Sequence, residues 1–260
     1  MTIFQFLLFP VSLLYGLIMS IRNLFFDWGW LPSRQFELPV ICVGNLSFGG
    51  TGKTPHIEYL INLLKDRWFV ATLSRGYGRT SKGFVLASKR SAYKYIGDEP
   101  LQFARKFDQI KVAVDEKRVR GIVELQRKYP DLQAILLDDA FQHRFVKPGL
   151  SILLTDFHRL YTSNHVFPSG SLREFSSGAK RADLIIVSKT PKVFSPITRR
   201  RILEEINPKP HQQVFFSYIR YGNPIPVVPE QDKSSPYSNS IILLFTGIAN
   251  DYPLREHLTR

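Results

Sequence analysis

The sequence predicts an α/β protein, a mostly parallel sheet with helices on both faces. Three observations carry that expectation. Short, near-continuous apolar runs recur along the chain. They alternate with helical stretches. One of them opens into a glycine-rich turn that ends in Gly-Lys-Thr. Strands with apolar residues at nearly every position belong to a sheet that helices cover on both sides.

The apolar runs are residues 39–43, 69–73, 110–114, 134–137, 151–155 and 184–187, and each reads as a buried strand. Segments 53–66, 98–107, 116–128 and 196–206 read as the helices between them. Residues 83–87 and 92–96 flank a polar turn at 88–91 and read as a β-hairpin excursion. After residue 207 the texture changes. Residues 214–219 and 225–228 read as two strands around Gly222-Asn223-Pro224, and 229–239 as a polar linker. Residues 241–245 read as a new strand whose helix has barely begun at Arg260. The expected organisation is a membrane-associated helix (1–26), a P-loop domain (27–212), a two-stranded linker (213–239) and the start of an incomplete, smaller α/β domain (240–260).

Composition narrows the partners. With 35 Lys and Arg against 22 Asp and Glu, the formal charge is +13. That excess favours phosphate esters, nucleic acid or acidic lipid headgroups. Cys42 is the only cysteine, so no internal disulfide can form, and its place in an apolar run reads as a small buried hydrophobe. No Cys/His cluster has zinc-binding spacing. Residues 1–21 contain no charge and are mostly Leu, Phe, Ile and Val from residue 3 to 19. No small-residue cleavage site follows, which argues against a cleaved signal peptide. Pro10, Gln5 and Ser12 weaken the case for a full span. The preferred expectation is a helix that dips into one leaflet, with Phe25, Phe26, Trp28 and Trp30 near the interface.

The sharpest signal is the segment from Val40 to Thr54. A buried strand runs into Ser47-Phe48-Gly49-Gly50-Thr51-Gly52-Lys53-Thr54, which opens a helix. Glycines let the backbone approach phosphate oxygens, and the N–H groups at a helix N-terminus form an anion site. Lys53 supplies a point charge to the β- and γ-phosphates, and Thr54 offers a hydroxyl to Mg²⁺. A strict phosphate loop has Gly at position 47, and here it is Ser47, for which Gly49-Gly50 are expected to compensate. Pro55 falls in the first helical turn, where its missing N–H has no helical partner.

A second apolar run, 134–137, ends in Asp138-Asp139. Two adjacent carboxylates are costly to keep together unless a cation neutralises them, so Asp138 is expected to face the metal. His143 follows closely. Asp98 reads from spacing alone as a helix cap, with a general-base role as the alternative. Arg173 and Glu174 sit in an irregular polar loop, where a solvated ion pair and a site role are equally open.

Together these motifs resemble the tetraacyldisaccharide 4'-kinase family of lipid A biosynthesis. The matching stretches are Val43 to Pro55, Leu73-Ser-Arg-Gly-Tyr-Gly-Arg79, Gly97-Asp-Glu-Pro100, Asp138-Asp-Ala-Phe-Gln-His-Arg144, Leu172-Arg-Glu174 and Thr246-Gly-Ile-Ala-Asn250. The resemblance implies a P-loop NTPase-like fold and transfer of the ATP γ-phosphate to the 4'-hydroxyl of a tetraacyldisaccharide 1-phosphate. It also implies Asp98 as general base and Lys53, Thr54, Asp138 and Asp139 serving ATP and Mg²⁺. Tyr77, His143, Arg173 and Glu174 would line the site. The chain would sit on the cytoplasmic face of a bacterial inner membrane, peripheral or monotopic, against anionic lipid and without nucleic acid as partner. The family's second domain carries an Asp-His motif whose histidine assists the base, and His257 does not match it.

Two rivals remain at this level. A soluble P-loop NTPase of the metallochaperone or regulatory kind would draw on residues 184–190, whose strand end resembles a guanine-recognition element but has Pro191 where an Asp is expected. A basic nucleic-acid-binding protein would need a stacking platform that the sequence does not offer.

Overall fold

The computed structural model describes residues 3–222, 243–247 and 251–259. It divides into two units, with the boundary between Tyr218 and Ile219.

In the first unit the strands are β1 (Arg34–Gln35), β2 (Val40–Asn45), β3 (Val70–Ser74), β4 (Val85–Leu86), β5 (Lys111–Val114), β6 (Ala134–Asp138), β7 (Val146–Lys147), β8 (Leu150–Asp156), β9 (Leu184–Ser188) and β10 (Gln213–Phe216). Eight of them form one sheet in the order β10-β9-β8-β2-β6-β3-β5-β4. Every pairing is parallel except that of β4 with β5. The short β1 and β7 form a separate parallel pair.

The helices are α1 (Ile3–Asp27), α2 (Lys53–Leu64), α3 (Tyr93–Ile96), α4 (Asp98–Lys106), α5 (Arg118–Lys128) and α6 (Pro196–Ile206). Strand alternation sends neighbouring side chains to opposite faces, and both faces are apolar. Cys42, Leu73, Ile135, Leu137, Leu153 and Val187 pack with Ile122 and Leu125 of α5 and Ile202 of α6. Val43, Val70, Leu136 and Ile152 pack with Ile57 and Ile61 of α2 and Phe103 of α4. The three-layer expectation therefore holds, strand by strand and helix by helix. Cys42 is buried, and burial pushes its thiol up to about 12, as expected of an inert hydrophobe.

Several local expectations are corrected. Residues 83–96 are not a hairpin. Val85 and Leu86 pair instead with Val114 and Ala113, and Tyr93–Ile96 is a helical turn. The strand pattern at 92–96 is too short to separate period two from one turn of helix. Phe26 is not at an interface: it is 6% exposed and stacks edge-on against Phe145. The strand expected at 214–219 is the sheet's edge strand β10, held parallel to β9. Its presumed partner at 225–228, the linker at 229–239 and residues 248–250 of the last motif lie outside the described residues.

Helix α1 shows why an apolar segment need not be a core segment. Only 11% of its apolar window is buried. Phe6, Leu7, Val11, Leu14 and Ile18 are all more than half exposed. Apart from Phe26 near its end, the buried stripe is narrow and built from small residues. Ser12 accepts a hydrogen bond from the Ser169 N–H at 2.8 Å, and Gly16 lies so close to the Phe175 ring that a Cβ would meet it at 2.5 Å. In the second unit, helix α7 (Tyr252–Leu258) carries His257, whose ring stacks on Tyr221 with centroids 4.7 Å apart. Leu243 to Gly247 form no strand.

Candidate active site

The site lies at the carboxyl ends of β2 and β6, near the centre of a parallel sheet. β2 is flanked by β6 and β8, so the chain turns to opposite sides there, and open α/β sheets present a ligand crevice at such a switch point.

The loop after β2 meets the demands of phosphate binding. Gly49 and Gly52 take φ of +111° and +84°, conformations that side chains rarely adopt. Gly52 is the residue that opens α2, and no side chain caps the helix, so its first N–H groups stay available. Ser47 replaces the usual glycine without strain because it is extended and pairs with Leu172, while the Phe48 N–H donates to the Ser171 carbonyl at 2.7 Å. Asn45 donates to the Thr51 hydroxyl at 2.9 Å. From the far side, Lys189 donates to the Gly50 carbonyl and pairs with Asp156, and Ser188 donates to the Thr51 carbonyl at 2.8 Å.

Two neighbouring aspartates then meet different surroundings. Asp138 is the last residue of β6 and is 1% exposed. Neither of its oxygens has a hydrogen-bond partner. Burial, with Glu99 and Asp139 nearby, pushes its carboxyl up to about 7, against the pull of Lys53 and Arg118. Asp139 adopts φ +47°, which turns its side chain away from that of its neighbour. Burial alone would raise it, but Arg173 and Lys53 outweigh that and hold it below the usual range. Arg173 grips both its oxygens at 2.8 and 3.1 Å, and Lys53 Nζ is 3.7 Å from Oδ1.

Across the cleft, α4 presents a second adjacent pair. Glu99 accepts a hydrogen bond from the Thr54 hydroxyl at 2.9 Å. Asp98 is exposed, and one of its oxygens accepts from the Glu99 N–H at 2.9 Å. It also lines an open surface depression of about 460 Å³ with Tyr93, Gln102 and Arg105, to which Lys53, Thr54 and Asp138 do not contribute. Gly97, at φ +91°, lets this turn press against Gly76 and the Tyr77 carbonyl of the neighbouring loop.

The remaining sequence-derived residues scatter more widely. Tyr77 is 89% exposed. His143 is half-buried, and burial together with Arg118 and Arg75 lowers it to about 4, so its imidazole is neutral near pH 7. Arg173 also lies over the Phe48 ring at 5.1 Å. Glu174 is 2% exposed, with its oxygens engaged by Arg181, Asn23 and Gln142. Sequence reasoning passed over Glu99, Lys189, Asn45 and Gln142. Glu99 was visible inside the Gly97–Pro100 motif, and Lys189 at the end of the 184–190 strand. Asn45 lies inside the Val43–Pro55 stretch, and Gln142 inside the Asp138–Arg144 stretch.

The model of the family described as tetraacyldisaccharide-1-P 4'-kinase matches residues 4–260. The chain belongs to that family. A tetraacyldisaccharide 4'-kinase from Bacteroides thetaiotaomicron is 51% identical over 96% of this chain and 69% of its own length. One from Flavobacterium johnsoniae is 48% identical over 99% of this chain and 76% of its own. Among solved structures, the "apo" form of LpxK from Aquifex aeolicus in complex with ATP superposes with a TM-score of 0.67 at 28% identity, covering 88% of this chain and 86% of that one. The family's fold is the one observed, a mostly parallel α/β sheet around a phosphate loop.

The site also fits a divalent cation. A buried carboxylate with no partner, and a second carboxylate bonded to a hydroxyl on the first turn of the phosphate-loop helix, are oxygen donors of the kind Mg²⁺ prefers. Thr54, Asp138 and Glu99 are the residues that would supply them, although no cluster of three or more His, Cys, Asp or Glu side chains is present among the described residues.

Proposed function

We propose that this chain transfers the γ-phosphate of ATP to the 4'-hydroxyl of a tetraacyldisaccharide 1-phosphate, a step of lipid A biosynthesis. Family membership supports the reaction, and one observation carries its assignment to this site. Lys53, Thr54, Glu99, Asp138 and Asp139 converge where β2 and β6 end, with a carboxylate of Asp138 buried and unpaired.

The loop amides and the α2 N-terminus would cradle the phosphates, and Lys53 would neutralise charge that builds on the transferring group. Thr54, Asp138 and Glu99 would hold Mg²⁺, which supplies charge neutralisation of the β- and γ-phosphates when bound. Asp139, steered by Arg173, keeps Lys53 directed along the cleft. Asp98 would accept the proton of the sugar hydroxyl. It stands one residue from Glu99 and is exposed, open to an incoming hydroxyl. Tyr77, Arg75 and His143 would receive the anionic headgroup, where the field of Arg118 and Arg75 already disfavours a positive histidine.

The exposed apolar face of α1, with Trp28 and Trp30 at 60% and 69% exposure beyond its end, would seat the chain on an anionic membrane surface, the cytoplasmic face of the inner membrane. Residues 1–26 would act as the membrane segment, and the residues after 218 would belong to a linker and a smaller α/β domain.

The test is direct. Vesicles containing the tetraacyldisaccharide 1-phosphate are incubated with the protein and γ-labelled ATP or GTP. Label in a bisphosphorylated lipid, from ATP in preference to GTP, is the expected result. Label released only as inorganic phosphate would reject the kinase reading in favour of a plain NTPase.

A further inference from the structure

A continuous chain of hydrogen bonds joins α1 to the phosphate loop. Asn23, in the penultimate turn of α1, donates to Glu174 Oε2 at 2.7 Å. The other oxygen of Glu174 accepts from the Gln142 side-chain amide at 3.2 Å, and that same amide nitrogen donates to the Asn45 carbonyl at 2.9 Å. The Gln142 carbonyl oxygen accepts from Arg173 at 3.2 Å. Arg173 then grips Asp139, which faces Lys53.

The chemistry of each link fixes its orientation. Gln142 has its NH₂ toward two acceptors and its oxygen toward a donor, so a flip would set N–H against guanidinium and oxygen against carboxylate. Glu174 is 2% exposed; Arg181 donates to both of its oxygens, at 2.8 and 3.0 Å, and supplies its counter-charge, so Asn23 and Gln142 act on its orientation. The Nε of Arg173 is buried without a partner. The guanidinium is therefore held by its two terminal nitrogens, on Asp139 and Gln142, and by the Phe48 ring it lies over at 5.1 Å. Arg22 adds a second tie from α1, donating to the Gln142 backbone carbonyl at 3.2 Å.

We propose that Asn23 and Gln142 are positioning residues for phosphoryl transfer, which makes the apolar helix a structural part of the active site as well as a membrane seat. The proposal rests on the kinase reading above. Seating α1 fixes Asn23, and Asn23 through Glu174 and Gln142 fixes the Arg173–Asp139 pair against Lys53. A residue in such a chain affects the geometry of the transition state more than ground-state binding, so its loss falls on kcat.

The experiment compares wild type, Asn23→Ala, Gln142→Ala, the double variant and Asp27→Ala in vesicles with saturating lipid. Asp27 is on the last turn of the same helix and pairs with Arg144 at 2.6 Å; Arg144 also donates to the Asn23 backbone carbonyl at 2.7 Å, so this variant loosens the end of α1 while leaving the Asn23 side-chain amide on Glu174. Asn23→Ala is expected to lower kcat about tenfold with KM for ATP within about twofold, since small misplacements of this kind act on the chemical step. Gln142→Ala should lose at least as much, and the double variant no more than Gln142→Ala alone, because both cut one path. Asp27→Ala should keep kcat within about twofold, because the bond from the Asn23 side-chain amide to Glu174 is retained. Partition of Asn23→Ala into vesicles should be unchanged, since every exposed apolar residue of α1 is retained. Where Asn23→Ala melts lower than wild type, Asn23→Leu keeps the side-chain bulk and the helix propensity while removing the donor, and should give the same loss. Wild-type kcat in the folded Asn23 variant, or losses that multiply in the double, would overturn the relay alone. No transfer by the wild-type chain would overturn the kinase reading and the relay with it.

Discussion

The two carboxylate pairs on either side of the cleft are built from the same residue types and behave oppositely. On the β6 edge, Asp138 is buried without partners and Asp139 is fully engaged by Arg173 and Lys53. On the α4 edge, Glu99 is tied to Thr54 and Asp98 faces open solvent. In each pair, one step along the chain moves a carboxylate from one environment to another. The strand end turns Asp139 away by its positive φ, and the helix start separates Asp98 from Glu99 by the angular step between successive helical residues. The consequence is a division of labour. The inward carboxylates, Asp138 and Glu99, suit a metal and its phosphates. The outward one on α4, Asp98, suits a neutral hydroxyl that arrives from outside.

The largest effect expected concerns the group both edges face. Lys53→Ala should lower transfer by about a thousandfold or more, because charge on the phosphoryl group would be left uncompensated in a site that works mainly by electrostatics. Transfer assays with labelled ATP check this. Next is a pH dependence peculiar to the β6 edge. Asp138 has its carboxyl raised to about 7, so below that pH a cation must displace a proton and above it none. Apparent Mg²⁺ affinity of the ATP complex should therefore rise about tenfold from pH 6 to pH 8 and then level off. Asp138→Asn should flatten the slope, whereas Asp98→Asn should leave it intact. Titration calorimetry at several pH values reads the difference. The smallest effect tests the loop's outer support. Lys189→Ala removes the bond to the Gly50 carbonyl and should weaken ATP binding by about fivefold without changing the metal's pH profile.

Much of the fold was legible because its signal is redundant. Six buried strands and four helices are each announced by several consecutive residues, and the outcome shifted their ends by one or two positions. The phosphate loop was legible for a related reason: glycines at 49 and 52 and a lysine at 53 leave few alternative conformations. What could not be read were the choices made in three dimensions. Asp98 and Glu99 are indistinguishable by spacing, and only the register of α4 against α2 decides which one meets Thr54. Arg173 and Glu174 read alike from spacing, as an ion pair or as site residues; in the structure Arg173 reaches Asp139 while Glu174 is buried beside Arg181 and Asn23. The turn at 93–96 was misread because four residues with two tyrosines fit a strand or one helical turn equally well. Phe26 was assigned to an interface by its apolar neighbours, and its T-shaped contact with Phe145 is a tertiary fact with no local trace.

The division of labour between the two edges can be tested in one set of samples by measuring Mg·ATP binding and lipid phosphorylation side by side for Asp98→Asn and Asp138→Asn. Asp98→Asn should bind Mg·ATP as the wild type does and transfer at least a hundredfold more slowly, as loss of a general base costs, while Asp138→Asn should already fail at metal-dependent binding. Normal transfer by Asp98→Asn, or normal metal-dependent binding by Asp138→Asn, would contradict the account.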